Sequence, residues 1–534
     1  MRNMNDSANH PDQNDRRPKR GRFLIRCFFG LAWLAVLVVL FYAEENWRGA
    51  RALESYKQQL TAKGATLDWK AFVPPPLPDS ENFAMTPFLA PLFDFVPGTQ
   101  TWRDINARND AMSFAKDFPT IPFEGGWRVG NRINLAAWRK EPRTKRKGRA
   151  AEIDQPSMPD QAKVASAILA ALAEYDPVIE ELRSASQRSQ SRFNLRYDNA
   201  DLFDILLPHL AVIKKACQIL TTRSAAELAL GRTEQALNDV MLMFHLTDAP
   251  KSEPFLISQL VRVAGLQMTM QIIWEGFAEH RWSDGQLQAL QARLQEFNFF
   301  EDLKRSLEGE RAGANWTIEQ VRVRRDLEKV GGLNMDGDEG PGSNDSIREA
   351  AVVYKLCPAG WYYLEQLNYN RMFDEWIVTG FNAADRRVFP KRCEDNRRQM
   401  VAALSNPLSL IMEHRVFASL LLPALSGTIP KIALAQNAVQ EAIVACALER
   451  FRLSKGQYPE SLDGLAPQFV SKLPPDVMNG EPLRYRRTED GKFVLYSVGW
   501  NEVDDGGVIA RTEGSPNKVQ DITQGDWVWP FPAK

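Results

Sequence analysis

Glu308 and Glu310 are two glutamates separated by a single residue, in a stretch with helical periodicity. Paired carboxylates act as general acid and general base when a cleft holds their pKa values apart. Residues two apart on a helix do not share a face, whereas Arg311 is a natural helical neighbour for Glu308. The spacing therefore favours a structural ion pair between Glu308 and Arg311 over a catalytic pair.

The acidic segment 334–345 begins like a calcium-binding EF-hand loop, with Asp336 and Asp338 at alternate positions. Such a loop needs glycine at its sixth position and glutamate at its twelfth. Glycine is absent from the sixth position here, and Asp345 stands where the glutamate is required. We therefore predict a flexible linker near residues 331–346 rather than a calcium site.

Cysteine and histidine are too widely scattered for a metal or redox motif, and no CxxC pair occurs. The five histidines are expected to be structural or exposed. One or two disulfides are conceivable if the chain is exported, and their pairing is left open among Cys217, Cys357, Cys393 and Cys446. Cys446 lies on an apolar helical stripe, which favours a place in the core.

The charges balance, with 66 basic and 67 acidic residues, so the total favours neither nucleic acid nor a strongly acidic partner. The strongest local charge is the run RKEPRTKRKGR at residues 139–149. Clustered Lys and Arg can bind phosphate-rich or glycan surfaces. Because no aromatic residues are interleaved, a solvated loop is the favoured interpretation, and no nucleic-acid partner is expected.

Residues 23–42 form the segment that the sequence predicts to cross a membrane. About 20 apolar residues span a ~30 Å hydrocarbon layer. Six arginine and lysine residues precede the segment, whereas Glu44 and Glu45 follow it. The positive-inside bias then predicts a disordered cytoplasmic tail at residues 1–22, with the rest of the chain outside. A cleaved signal peptide and a buried core helix are the alternatives, and the long apolar run without a small-x-small site argues against cleavage.

The chain beyond the anchor divides by pattern into a juxtamembrane helix and proline-rich spacer at 43–80 and a mainly helical part at 81–430. The helical part is loop-rich at 97–158. Residues 225–250 resemble a tetratricopeptide helix pair, through Gly231, Glu234-x-Ala236, Phe244 and Pro250. No 34-residue period is sustained, so an irregular helical array is predicted.

The last hundred residues have a different pattern. A strong apolar stripe predicts a helix over 431–453, and alternating apolar residues on both sides of Asp490-Gly491 predict a β-hairpin. This C-terminal module, residues 431–534, resembles the globular domain of the major pseudopilins of bacterial type II secretion systems. The matching features are LERFRL at 448–453, Gly456, Tyr458-Pro459, Leu473-Pro474, Asp476, LRYR at 483–486, YSVG at 496–499, Asp521-Ile522 and Trp527.

The resemblance implies a calcium ion in the loops after the hairpin, at Asp504, Asp505 and Asp521, and oxygen ligands suit that cation. Trp500-Asn501-Glu502 stands where the family usually has Asp-Gly. Calcium is the one cofactor that the sequence raises. Pseudopilins join this domain directly to a processed membrane helix, whereas about 390 residues intervene here. Assembly into a pilus is therefore not expected.

These patterns predict a mainly α protein with an N-terminal transmembrane helix, an irregular helical array and a small C-terminal α+β module. We expect a single-pass protein of the bacterial inner membrane, with a non-catalytic interaction or scaffolding role and protein partners in the envelope. One alternative is an envelope hydrolase or glycan-modifying enzyme, which needs two facing carboxylates in a cleft. Another is a solute- or lipid-binding protein, which needs a large apolar pocket.

Overall fold

The computed structural model describes residues 19–99, 101–114, 116, 118, 126–138, 161–198, 202, 205–327, 351–512 and 519–532, with the backbone alone for 19–22. Three predictions therefore lie outside the described residues: most of the basic tail, the basic run at 139–149 and the linker near 331–346.

Helices dominate the described chain, and the predicted mainly α fold is confirmed. Their bounds are α1 Lys19–Ala62, α2 Ile105–Ser113, α3 Gln161–Leu172, α4 Asp176–Ala185, α5 Pro208–Ala229, α6 Thr233–Asp248, α7 Leu256–Ala278, α8 Asp284–Gln295, α9 Phe299–Arg324, α10 Ala359–Trp376, α11 Pro390–Leu404, α12 Pro407–Met412, α13 Val416–Ser426 and α14 Ile429–Lys455. Residues 351–356 are also helical.

The helices α5, α6 and α7 pack on one another, and α14 packs on α7, α8 and α9. The predicted helix pair at 225–250 is present as the end of α5 and the whole of α6. Gly231 between them has φ +72°, a conformation that glycine adopts readily. Ala236, Val240 and Phe244 are fully buried, as their four-residue spacing predicts.

Several helices begin without a side-chain cap of their own and receive one from another helix. Glu310 of α9 accepts from the first backbone N–H of α7, at Leu256, over 2.7 Å. Glu365 of α10 accepts from the first two N–H groups of α13, at Val416 and Phe417. Because the first N–H groups of a helix lack internal partners, these carboxylates fix how the helices pack.

Two short strands after α10, β1 Phe381–Asn382 and β2 Arg387–Val388, pair antiparallel. The C-terminal module contains α14 and the strands β3 Arg484–Arg487, β4 Phe493–Ser497, β5 Ile509–Arg511, β6 Gln520–Gly525 and β7 Trp527–Trp529. The predicted hairpin is present, since β3 pairs antiparallel with β4 around Gly491, and β7 adds to the other edge of β4. A two-stranded sheet, β5 with β6, completes it.

The module shares its core with the helical part. Trp274 of α7 donates to the backbone oxygen of Pro530 over 2.7 Å, and Phe277 packs edge-on against Trp529. One continuous set of buried side chains runs through both regions. The module is therefore joined to the array by packing as well as by sequence.

Candidate functional site

The apolar segment of α1 is fully exposed. Three helical segments are long and apolar enough to cross a membrane, and they begin at Phe23, Leu256 and Val416. None of the most apolar window of α1 is buried, whereas more than half of the corresponding window is buried in each of the other two. Exposure of a continuous apolar helix is unfavourable in water, so α1 has the properties of an anchor.

The same helix then packs on the body without a break. Beyond residue 44, α1 runs alongside α10, in the same direction. The two backbones touch at Gly49 and Gly360: a Cβ atom on Gly49 would lie 2.4 Å from the oxygen of Gly360. Only glycine permits so close an approach, which leaves no space for lateral movement of α1 on α10.

Polar contacts fasten both ends of this interface. At the end next to the apolar segment, the Gly360 N–H donates to Asn46 Oδ1 over 2.8 Å, and the Tyr42 hydroxyl donates to the oxygen of Leu356. At the far end, the Tyr56 hydroxyl donates to Asp374 Oδ2 over 2.6 Å. Burial and the hydrogen bond to Asp374 raise the pKa of Tyr56, so it remains a donor at any physiological pH.

Arg311 of α9 ties this far end to the body. Its Nη1 lies 2.9 Å from Asp374 Oδ1, its Nε donates to Asn370 over 2.6 Å, and its Nη2 donates to the Tyr56 hydroxyl. The ion pair with Glu308 that the sequence predicted does not form. Arg311 points instead to α10 and α1, and a buried guanidinium is stabilised best where several acceptors meet it.

Glu308 and Glu310 have separate surroundings in the structure. Glu310 is used as the cap of α7, and burial raises its pKa to about 7 although the Leu256 N–H favours the charged form. Burial also raises the pKa of Glu308. The two carboxylates lie on different faces of α9, as their spacing predicted.

Asp504 and Asp505 of the predicted calcium site lie in the loop before β5, whereas Asp521 lies in β6. Asp504 accepts from the Tyr496 hydroxyl over 2.9 Å, Asp505 accepts from Asn501, and Asp521 accepts from the backbone and hydroxyl of Thr523. Among the described residues no three His, Cys, Asp or Glu side chains are grouped so that they could hold a metal ion. Calcium binding stays a prediction of the resemblance.

Asp526 organises this loop and was not predicted. Its buried carboxylate accepts from the backbone N–H groups of Asp505, Gly507 and Val508. Burial raises the pKa of Asp526, and the three donors of the loop offset part of that rise because they favour the charged form. The Gly506-Gly507 pair was the available sequence signal, because both residues have positive φ, and this turn directs the Gly507 N–H to Asp526 and the Gly506 N–H to Asp504.

The cysteines Cys27, Cys217, Cys357, Cys393 and Cys446 are all free thiols. Cys446 is buried on α14, in agreement with its predicted place in the core. Burial raises the pKa of Cys217 and Cys446 to about 12, which keeps both thiols protonated and unreactive.

An open basin of about 840 Å³ lies where α4, α6 and α8 end. It is lined by more cations than carboxylates, and both of its carboxylates, Asp248 and Glu296, bind Arg293. Helix C-termini carry partial negative charge, which accounts for basic side chains at this place. The lining cations are Arg183, Arg192, Lys251, Arg293 and Arg305.

The basin has neither of the features that the two alternative functions require. Asp248 pairs with Arg262 and Arg293, and Glu296 pairs with Arg293, so both carboxylates are engaged in ion pairs rather than facing each other across a cleft as acid and base. Buried ion pairing with Arg262 and Arg293 outweighs the effect of burial and lowers the pKa of Asp248. The cationic lining is also unsuited to a lipid tail.

Comparison with protein-family models, with curated proteins and with solved structures finds no match for this chain. The function is therefore argued from the α1–α10 interface itself.

Proposed function

We propose that this chain is a single-pass envelope protein, anchored in the bacterial inner membrane by α1, with a non-catalytic scaffolding role for the helical body. The observation that carries the proposal is that one unbroken helix is exposed and apolar over its first part and packed on α10 over its second. The flanking charges support a cytoplasmic N-terminus and a periplasmic body.

The Gly49–Gly360 contact and the hydrogen bonds of Tyr42 and Tyr56 support a rigid attachment of the anchor helix to the body. A flexible linker would let the body sample many orientations, as for an enzyme that searches for a substrate. Here the helix that leaves the bilayer is part of the body, so the orientation of the body is set by α1. A fixed orientation suits a protein that presents a surface to partners in the envelope.

The topology is tested by proteolysis of spheroplasts that produce the full chain with a different tag at each end. We expect externally added protease to remove the C-terminal tag and leave the N-terminal tag intact until the membrane is lysed. Loss of the N-terminal tag from intact spheroplasts would overturn the orientation. A mature chain that begins beyond Ala43 would overturn the anchor.

The scaffolding role is tested by cross-linking in cells, followed by purification of the full chain from detergent extracts. A matched variant, Gly360→Leu, wedges α1 away from α10 without altering the anchor. We expect the same envelope proteins to be cross-linked repeatedly to the natural chain and several-fold less to the variant. Recovery of no envelope protein from the natural chain would contradict the role.

A further inference from the structure

The body carries exposed apolar side chains close to the point where α1 leaves its apolar segment. We propose that four of them form an apolar rim that lies on the lipid surface, so that the body is seated on the bilayer as well as anchored in it. The rim consists of Val352, Leu356, Leu408 and Met412. This inference rests on the proposed membrane anchor and adds a lipid-binding surface to it.

The first half of the rim is next to the anchor. The Tyr42 hydroxyl donates to the backbone oxygen of Leu356, so the helical residues 351–356 lie level with the end of the apolar segment. Val352 and Leu356 are four residues apart and thus share one helical face. The Leu356 side chain is 73% exposed and that of Val352 is 64% exposed.

The second half of the rim is on α12. Leu408 and Met412 also have a spacing of four residues, and their exposed fractions are 69% and 63%. The turn after α12 lies beside the first half of α10, because the His414 ring packs on Trp361 with ring centroids 4.9 Å apart, and Asn368 donates to the backbone oxygens of Glu413 and His414. Glu45 and Arg48, just beyond the apolar segment of α1, lie near enough to His414 to affect its charge.

Two pairs of exposed apolar residues, both next to the half of α10 nearer the anchor, are not explained by packing within the described chain. Isolated exposed apolar residues are common on protein surfaces. Pairs with i, i+4 spacing beside an anchor are instead arranged as in interfacial helices. The apolar face of such a helix enters the boundary between headgroups and acyl chains. Trp47 of α1, exposed one turn above Tyr42 with Arg51 over its ring, is a residue pair typical of the membrane interface. The exposed α1 segment continues directly into this region, which favours lipid over a protein partner as the occupant.

The α10 helix provides a control at a different depth. Val378 is exposed and apolar like the rim residues, but it follows the far end of α10. Because α10 runs alongside α1 and rises about 1.5 Å per residue, Val378 is roughly 25 Å farther from the bilayer than Gly360. A probe at Val378 reports the body away from lipid, with similar exposure and residue type.

The test places single cysteines at Leu356, Met412 or Val378 in full-length chain carrying Cys27→Ser, and labels each with a small fluorophore. The chain is reconstituted in nanodiscs of phosphatidylethanolamine and phosphatidylglycerol, doped with lipid that carries a nitroxide near the top of the acyl chain. Native Cys27, labelled in the unsubstituted chain, reports the anchor. The cysteines left in place are free, and those that are buried will react slowly.

We expect the nitroxide to quench the labels at Leu356 and Met412 at least about twofold more than the label at Val378, since an interfacial side chain lies within ~10 Å of the nitroxide. The double substitution Val352→Asp and Leu408→Asp should reduce this quenching to the level of Val378. The same double substitution in a chain that keeps Cys27 should leave the quenching at Cys27 unchanged. If the labels at Leu356, Met412 and Val378 were quenched equally while Cys27 was quenched, the proposal that the rim contacts lipid would be wrong. The membrane anchor would still hold. Absence of quenching at Cys27 would overturn the anchor itself.

Discussion

The helices α1 and α7 both meet the length and composition of a membrane span, yet their surroundings differ completely. The apolar segment of α1 is bare, whereas α7 is covered on most of its surface by α5, α6, α9 and α14. The difference is visible in their polar residues. Residues 27–43 of α1 carry no charge, while the middle of α7 carries Arg262.

Arg262 shows what surrounds α7. Its side chain is fully buried, and it meets Asp302 over 2.8 Å and Asp248 over 2.7 Å, while its Nε donates to the Thr247 oxygen. Burial would lower the pKa of Arg262, but the two carboxylates outweigh this and raise it. Only folded protein supplies so many fixed acceptors, so α7 belongs to the body although its hydropathy matches a span.

The largest expected effect comes from removal of this guanidinium. Arg262→Ala leaves Asp248 and Asp302 without a common partner in the core, and breaking a buried ion pair costs about 3–5 kcal/mol. Urea unfolding of the full chain in detergent should show this loss, with α1 still partitioned into the detergent. The matched control is Arg397→Ala, which removes an exposed pair with Glu394 and should change stability by less than about 0.5 kcal/mol. Equal effects of the two variants would contradict the core position of α7.

The next effect concerns α1, where a substitution should weaken membrane insertion and leave the stability of the body unchanged. Leu34→Asp places a carboxylate near the centre of the exposed segment, where insertion into a bilayer costs about 2.5–3.5 kcal/mol more. Carbonate extraction should release a large fraction of the variant from membranes, while the melting temperature of the body stays unchanged. Gln58→Asp, on the exposed side of the packed part of the same helix, should remain in the membrane. Retention of Leu34→Asp in carbonate would contradict a membrane environment for α1.

The contrast between the two helices also explains what could be predicted from the sequence. The apolar segment of α1, the juxtamembrane helix that follows it and the β3–β4 hairpin depend on neighbouring residues, and all three were predicted. Arg311 was assigned to Glu308 because that partner is local, yet it contacts Tyr56, which is 255 positions away. Residues that only tertiary packing brings together have no characteristic spacing in the sequence. A charged residue on an apolar helix predicts that a partner exists and does not say which one.

The smallest effect concerns the start of α7, where Glu310 is the cap. Burial raises the pKa of Glu310 to about 7, from its ordinary value near 4.5. As the pH rises, the Glu310 carboxyl loses its proton near pH 4.5 in the unfolded chain but only near pH 7 in the folded chain. Its contribution to stability is therefore present below about pH 4.5 and is lost as the pH rises through 7. Glu310→Gln keeps an acceptor for the Leu256 N–H without the charge. At pH 8 it should melt about 2 °C higher than the natural chain, on the order of 1 kcal/mol.

Glu449 of α14 is the matched control, because it is also removed from solvent but is surrounded by donors. Burial alone would raise its pKa, yet hydrogen bonds from His280, Arg452 and Tyr458 outweigh it and lower the pKa to about 2. Its contribution to stability is therefore present above about pH 4.5 and is lost as the pH falls towards 2. Glu449→Gln should melt lower than the natural chain at pH 8, and the difference should shrink in acid. The donors around each glutamate are expected to set the sign of the change in melting temperature. A shift in the same direction for both substitutions at pH 8 would contradict this.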